Sequence, residues 1–278
     1  MTSTNWIDLQ KDGDTGIETI RAHFEGHAYD PHWHDSYLVG FTEQGVQQFH
    51  CRRWRHDSTP GRLFFVEPGE IHDGHAPARG GFTYSMLYLD ADWLQRELRH
   101  FGTPGVVSGE PGFASTLVDD SPLIAAVANA FTTLRAPSTR LQRDAALDTL
   151  LQGMVPHLGW RQRRWDNDPR LPRVARHAQA YLHAHSGDDI GLQTLAEHCG
   201  VDRFRLTRAF KAAFGLAPHA YLVQLRLSLA RQRLATGESP AIVASQLGFA
   251  DQSHLGRWFR RAYGLTPADY RRRCQPPN

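Results

Sequence analysis

Residues 195–221 and 243–270 carry nearly the same pattern twice. Ala196 and Gly200 of the first stretch return as Ala244 and Gly248 in the second. Leu206, Arg208, Phe210, Gly215, Leu216, Pro218 and Tyr221 return as Leu255, Arg257, Phe259, Gly264, Leu265, Pro267 and Tyr270. The second copy has one extra residue between these two sets. Each copy reads as a helix, a glycine-containing turn, a second helix and a Gly-Leu-x-Pro stop. That succession is the helix-turn-helix pattern, whose second helix can enter a DNA major groove. Between the copies, Tyr221, Leu222, Leu225, Leu229 and Leu234 predict one long helix from about Pro218 to Ala235, ended by Gly237. Such a strut would fix the distance between two reading helices.

In the first copy, Leu192 to His198 supplies the supporting helix and Cys199-Gly200 the turn. Asp202 is suited to cap a helix over 203–214, because its carboxylate accepts from first-turn amides. Leu206, Ala209, Phe210 and Ala213 form the inward stripe of that helix, leaving Arg203, Phe204, Thr207, Arg208 and Lys211 on or near the other face. Arginine pairs bidentately with guanine O6 and N7, lysine holds a phosphate, and Phe204 suits a thymine methyl. In the second copy, 241–247 is the supporting helix, Gly248 the turn and 251–262 the reading helix, with Leu255 and Phe259 inward. Gln252, Ser253, His254 and Arg257 face outward or forward, Arg260 and Arg261 suit phosphates, and Trp258 packs. A helix over 172–187 precedes both copies. Arg271, Arg272 and Arg273 trail as a basic run, either a solvated tail or a DNA contact.

Charge divides the chain in the same way. Residues 1–169 hold 15 Lys and Arg against 22 Asp and Glu, and residues 170–278 hold 16 against 7. A basic C-terminal part behind an acidic front is the electrostatic footprint of a DNA-binding domain joined to something else. No apolar run reaches roughly 18 residues, so no membrane span is expected. The N-terminus lacks the basic-then-apolar pattern of an export signal. Three scattered cysteines, Cys51, Cys199 and Cys274, contain no CxxC, which argues against a disulfide framework or zinc finger and for a reducing cytoplasm.

From Arg21 to Leu89 short β-prone runs alternate with turn signals such as Gln44-Gly45, Pro68-Gly69-Glu70 and Gly80-Gly81. Many short strands at even spacing predict a sandwich or barrel, and a small barrel can hold a ligand in its mouth. His32 and His34 share one face of a regular strand, and His72 joins them from a second segment. Three imidazoles can bind a first-row metal, line an organic pocket or make structural hydrogen bonds. Tyr84, Met86 and Tyr88 alternate on one strand face, as core or as ligand contacts. Glu43 is either a pocket carboxylate or a solvated turn residue. Nothing supports a nucleophilic triad or paired-carboxylate catalysis. Helices follow at 91–102, with Trp93, Leu94, Leu98 and Phe101 at near-helical spacing, at 121–135, opened by Ser121-Pro122, and at 139–158, with residues 103–120 as loop. Their apolar faces pack within the chain or pair two copies of it. The polar run 161–172 reads as an interdomain linker.

The stretch from Leu247 to Leu255, with Arg257, Phe259, Tyr263-Gly264, Thr266-Pro267 and Tyr270-Arg271, resembles the signature of AraC/XylS-type transcriptional regulators. Gly215-Leu216-x-Pro218 and Tyr221 match its first half. His32-Trp33-His34-Asp35, Gln44-Gly45 and Pro68-Gly69-Glu70-Ile71-His72 are similar to the family's cupin-like effector-binding domain. The resemblance implies a multidomain α and β protein. Residues 1–165 would form a cupin-like β-barrel with flanking helices, and residues 166–278 an all-α double helix-turn-helix domain. It implies a bacterial, sequence-specific regulator of double-stranded DNA, controlled by a small-molecule effector. A homodimer and contact with RNA polymerase are further implied. By position, Phe204, Thr207 and Arg208, then Ser253, His254 and Arg257, match base readers, while Gly256 departs from the longer side chains of some members. Metal-binding cupins place a Glu after the His-x-His pair, whereas Leu38 and Val39 stand here. No metal or other cofactor is therefore expected. His32, His34, Glu43, His72, Tyr84, Met86 and Tyr88 are candidate effector contacts. The competing reading is a metal-dependent cupin enzyme fused to a DNA-binding domain.

Overall fold

The computed structural model describes residues 5–52, 54–100, 109–161 and 172–275. They form two compact units, one ending at residue 161 and the other starting at residue 172. Apart from its two ends, the expected linker over 161–172 lies outside the described residues. No helix among the described residues is long and apolar enough to cross a membrane.

The N-terminal unit contains β1 (Trp6–Lys11), β2 (Glu18–Phe24), β3 (His27–His32), β4 (Ser36–Gly45), β5 (Gln47–Cys51), β6 (Trp54–Ser58), β7 (Leu63–Val66), β8 (His72–His75), β9 (Phe82–Asp90), β10 (Glu110–Phe113), β11 (Leu117–Val118) and β12 (Leu158–Arg161). Its helices are α1 (Ala91–His100), α2 (Ser121–Arg135) and α3 (Arg140–Met154). One sheet has the order β1-β2-β9-β4-β7-β11, a second β3-β8-β5-β6, and β10 pairs with β12. This is the sheet-rich fold the sequence suggests, built as separate sheets whose side chains interleave.

The central strand β9 shows why. Its register puts Tyr84, Met86 and Tyr88 on one face, opposite Ala22, Ile20 and Glu18 of β2. Ser85, Leu87 and Leu89 take the other face. Leu87 and Leu89 pack with Val39, Phe65, Leu98, Val127, Leu150 and Met154, so α1–α3 cover that side. Tyr84 and Tyr88 meet Tyr29 and His34 of the segment β3–β4 on the other. Burial on both faces leaves β9 without charged residues before Asp90, its polar Thr83 and Ser85 being buried as well.

Several local expectations change. Residues 110–113 and 117–118 are strands, not loop. Asp120, not Ser121, caps α2, its carboxylate accepting from the Leu123 amide at 3.0 Å. The helix from 139 stops at Met154, and a short 3-10 turn carrying Pro156 leads Leu158 into β12. Of the helix expected over 91–102, residues 101 and 102 lie outside the described residues. The apolar stripes of α2 and α3 are largely consumed by the core of their own chain. Leu141, at 78% exposure, is an exception.

The C-terminal unit is all helical: α4 (Arg173–Ala184), α5 (Leu192–His198), α6 (Arg203–Phe214), α7 (Pro218–Ala235), α8 (Pro240–Gln246), α9 (Gln252–Tyr263) and α10 (Pro267–Cys274). The helix expected over 172–187 therefore ends at Ala184, and the last basic run is not a tail. Thr266 caps α10, and Tyr270 and Cys274 are buried. The repeat itself carried the signal, because the equivalent Pro218 opens α7.

The two turns are backbone equivalents in different surroundings. Gly200 and Gly248 have φ of +66° and +68°, a region L side chains rarely adopt. A Cβ on Gly200 meets nothing within 4 Å, whereas one on Gly248 meets Arg226 Nη2 at 2.6 Å and the Gly187 carbonyl at 2.7 Å. Gly200→Ala is therefore expected to lose only the backbone preference, about 1–2 kcal/mol. Gly248→Ala adds steric displacement and should lose about 2–4 kcal/mol. Urea unfolding of the two variants checks this, and equal losses would contradict it.

Candidate nucleic-acid interface and ligand site

The interface is built on α6 and α9. Asp202 accepts from the Arg205 amide at 2.8 Å and Asp251 from the His254 amide at 2.6 Å, so each helix starts on a carboxylate cap. The bond from the Arg205 amide holds the Asp202 carboxyl below its ordinary range. Leu206, Phe210 and Phe214 bury one side of α6, and Leu255, Phe259, Ala262 and Tyr263 one side of α9. Ala209 and Ala213, expected inward, are only half-buried.

On α6, Arg203, Phe204, Arg208 and Lys211 are exposed and Thr207 half-buried. Phe204 stands at 77% exposure, a large apolar ring left on a charged face. Arg205, not singled out from the sequence, is exposed beside it. On α9, Gln252, Ser253, Arg257, Arg260 and Arg261 are exposed. His254 is placed differently. It is half-buried, and Trp258 Nε1–H donates to its Nε2 at 2.9 Å. That bond, with the Ala250 amide donating to Nδ1 at 3.3 Å, ties His254 to its own helix and to the turn before it. Arg261 lies over the Trp258 ring at 5.3 Å. Gly256 leaves open space between these side chains.

Both copies hang on α7. Tyr221 packs on Phe210 and Phe214, and its hydroxyl accepts from Gln179 Nε2 at 2.9 Å. The Arg226 guanidinium donates to the carbonyls of Ser186 (2.7 Å), Asp188 (2.7 Å) and Gly248 (2.8 Å). Arg231 lies over the rings of Tyr263 and Tyr270 at 5.8 and 5.4 Å.

In the N-terminal unit six of the seven expected contacts gather between the sheets. His32 and His72 are cross-strand partners on β3 and β8. His34 is not on the strand but in the coil after it; its Nε2 still lies 3.1 Å from that of His32. The His34 ring is edge-on to Tyr88 at 5.0 Å. Tyr84 is buried, and Tyr29, which the sequence reading omitted, meets it hydroxyl to hydroxyl at 2.7 Å. Burial pushes both phenols above their ordinary range, so both stay protonated. Burial also lowers His72, favouring its neutral form. Met86 shares the face of Tyr84 and Tyr88.

Glu43 is not brought into this group. It sits where β4 shifts register between Thr42 and Gln44, and its carboxylate turns to the opposite face. There it accepts from Arg21 Nη2 at 2.7 Å and from Ser85 Oγ at 2.5 Å. Burial raises this carboxyl, but the bonds from Arg21 and Ser85 outweigh it and hold it below the ordinary range. Glu18, buried opposite Tyr88 in the ladder, is a carboxylate on the inner face.

A family model described as an AraC-like ligand binding domain matches residues 14–151, and one described as a helix-turn-helix domain matches residues 195–273. YbfI of Bacillus subtilis, an uncharacterized HTH-type transcriptional regulator, is 24% identical over 249 residues, covering 89% of this chain and 88% of its own. The MmsAB operon regulatory protein of Pseudomonas aeruginosa is 26% identical over 257 residues, covering 87% and 77%. An apo form of ToxT from Vibrio cholerae has the same fold, with a TM-score of 0.61 at 12% identity over 96% of this chain and 100% of that one. ToxT with an unsaturated fatty acid bound gives a TM-score of 0.56 at 13% identity, over 98% and 96%.

Proposed function

Because the chain belongs to the AraC family of transcriptional regulators, with an N-terminal ligand-binding domain and a helix-turn-helix DNA-binding domain, we propose that α6 and α9 read two successive major-groove segments of one DNA site. A small organic effector between the two sheets sets when they do so. The observation that carries the DNA reading is the pair of capped helices with matched buried stripes and unmatched exposed ends. Arg203, Phe204, Thr207, Arg208 and Lys211 stand on one, and Gln252, Ser253, Arg257, Arg260 and Arg261 on the other. His254 contributes by orienting Trp258 within α9. The charge division of the chain supports the same reading.

His32, His34, His72, Tyr84, Met86 and Tyr88, joined by Tyr29, offer an effector buried rings plus hydroxyl and imidazole partners. Such a lining suits a ligand with an apolar body and a polar end. An unsaturated fatty acid, as in the ToxT complex, is one molecule of that class. Homodimerisation through the outer faces of α2 and α3, contact with RNA polymerase and a cytoplasmic setting complete the proposal. The relatives named above are transcriptional regulators, which favours regulation over catalysis.

The test uses the full chain and a duplex selected from a random pool. Arg208→Ala is expected to lose about 1–3 kcal/mol on the selected duplex and to relax preference at one base step. Lys211→Ala should weaken selected and scrambled duplexes alike and reduce the salt slope by about one. Equal losses on both duplexes for Arg208→Ala would remove Arg208 from base reading.

A further inference from the structure

We propose that His32, His34 and His72 bind one divalent first-row transition-metal ion, zinc in the first instance, between the sheets of the N-terminal unit. One ring nitrogen from each lies within 4.8 Å of the others. All three residues are buried, at 2%, 3% and 8% exposure. Zinc at about 2.0–2.1 Å from tetrahedral nitrogens sets them roughly 3.3–3.4 Å apart. The His32–His34 pair, at 3.1 Å between Nε2 atoms, is already close to that spacing. The widest separation needs to close by no more than about 1.5 Å, a shift within reach of ring rotation.

Orientation points the same way. His32 Nδ1 lies 2.7 Å from the Asp30 carbonyl and His72 Nδ1 lies 2.9 Å from the Glu70 carbonyl. A carbonyl only accepts, so both rings carry their proton on Nδ1 and present Nε2 as the ligand atom. This outer contact to a backbone carbonyl is the one that fixes tautomer and ring angle in metal-binding histidines. Binding then requires His34 also to carry its proton on Nδ1.

The backbone holds the three ligands together before any ion arrives. His32 and His72 face each other across the β3–β8 ladder. The His34 carbonyl accepts from the Gly69 amide at 2.8 Å, tying the coil after β3 to the turn before β8. Glu70 does not join the set, since its carboxylate accepts from Arg52 Nε at 2.6 Å. Three imidazoles without a carboxylate favour zinc, copper, nickel or cobalt over magnesium or calcium, and leave a coordination position for water or a ligand oxygen.

The experiment titrates the chelator-stripped full chain with Co2+ and then displaces it with Zn2+. One equivalent with the visible bands of four-coordinate cobalt is expected, and His32→Gln and His72→Gln should each weaken binding by about 100-fold or more. His50→Gln, at an exposed histidine bound to Asp73, should leave the stoichiometry unchanged. X-ray absorption of the wild-type zinc complex needs no variant and should report three imidazole nitrogens. Absence of binding at micromolar ion, fewer than three imidazoles, or a site that survives the His32→Gln/His72→Gln double variant would overturn the assignment. The readout is the ion itself, so failure here leaves the effector and DNA readings standing.

Discussion

Arg52→Ala is expected to destabilise the N-terminal unit by about 3–5 kcal/mol, because it strands two buried carboxylates. Glu67 and Glu70 are 8% and 5% exposed, and both carboxylates bind this one guanidinium. Arg52 also donates to the Phe113 carbonyl at 2.9 Å, and the Phe113 amide donates to Glu67 at 2.6 Å. A single side chain thus joins the β5–β6 turn, the segment before β8 and β10. These bonds hold Arg52 at φ +52°, the only positive φ outside glycine among the described residues. The neighbouring Cys51 thiol is pushed up to about 12, first by burial and then by the Glu70 charge, so it stays protonated. Urea unfolding of the N-terminal unit at neutral pH measures this. A loss under about 1 kcal/mol at neutral pH would mean that the cluster behaves as a surface ion pair.

Phe259→Ala should cost about 3–5 kcal/mol in the C-terminal unit, and Phe210→Ala a similar amount. Each ring is fully buried at the same place in its copy. Phe210 packs on Phe214 and Tyr221 at 4.6 and 5.2 Å, and Phe259 on Tyr263 and Tyr270 at 4.7 and 5.5 Å. Both rings therefore seat a reading helix on the helix that follows its Gly-Leu-x-Pro stop. Replacement by leucine keeps most of the volume and should recover most of the loss. If Phe259→Ala unfolds at the wild-type urea midpoint, the ring does not hold α9 in place.

The helical third was readable almost to the residue, because several signals agree there. Apolar spacing, Asp202 as cap, glycine turns and proline starts all bound α5, α6 and α7. The one element overlooked, α10, was hidden by reading Pro267 as a stop, although Pro218 in the same position starts a helix. In the front, short runs and turns gave the strands, but period two misleads wherever a ladder slips. The β3–β8 ladder shifts register on both sides of Tyr29, so nothing local marks Tyr29 as the partner of Tyr84. Alternation along β4 already places Glu43 with Val39 and Phe41 on the helix side, before the shift that follows Thr42. His34 sits beyond its strand, and a bond from the Gly69 amide to its carbonyl, distant in sequence, helps to return it to His32 and His72. Faces of a regular strand can be read from spacing; faces after a bulge depend on the partner strand.

The grip of Arg226 on Ser186, Asp188 and Gly248 has a consequence for the DNA. One guanidinium joins the connection before α5 and the turn before α9, so both copies are tied to the same side chain of α7. On the proposed reading, the chain acts as a ruler with a fixed helical phase. Adding or removing one base pair between the two contacted segments turns the second by roughly 34–36° about the duplex axis and slides it by about 3.4 Å. A flexible pair of readers would absorb that change. This pair would have to release one groove, so the spacer of its site is as much a part of the recognised sequence as the bases it touches.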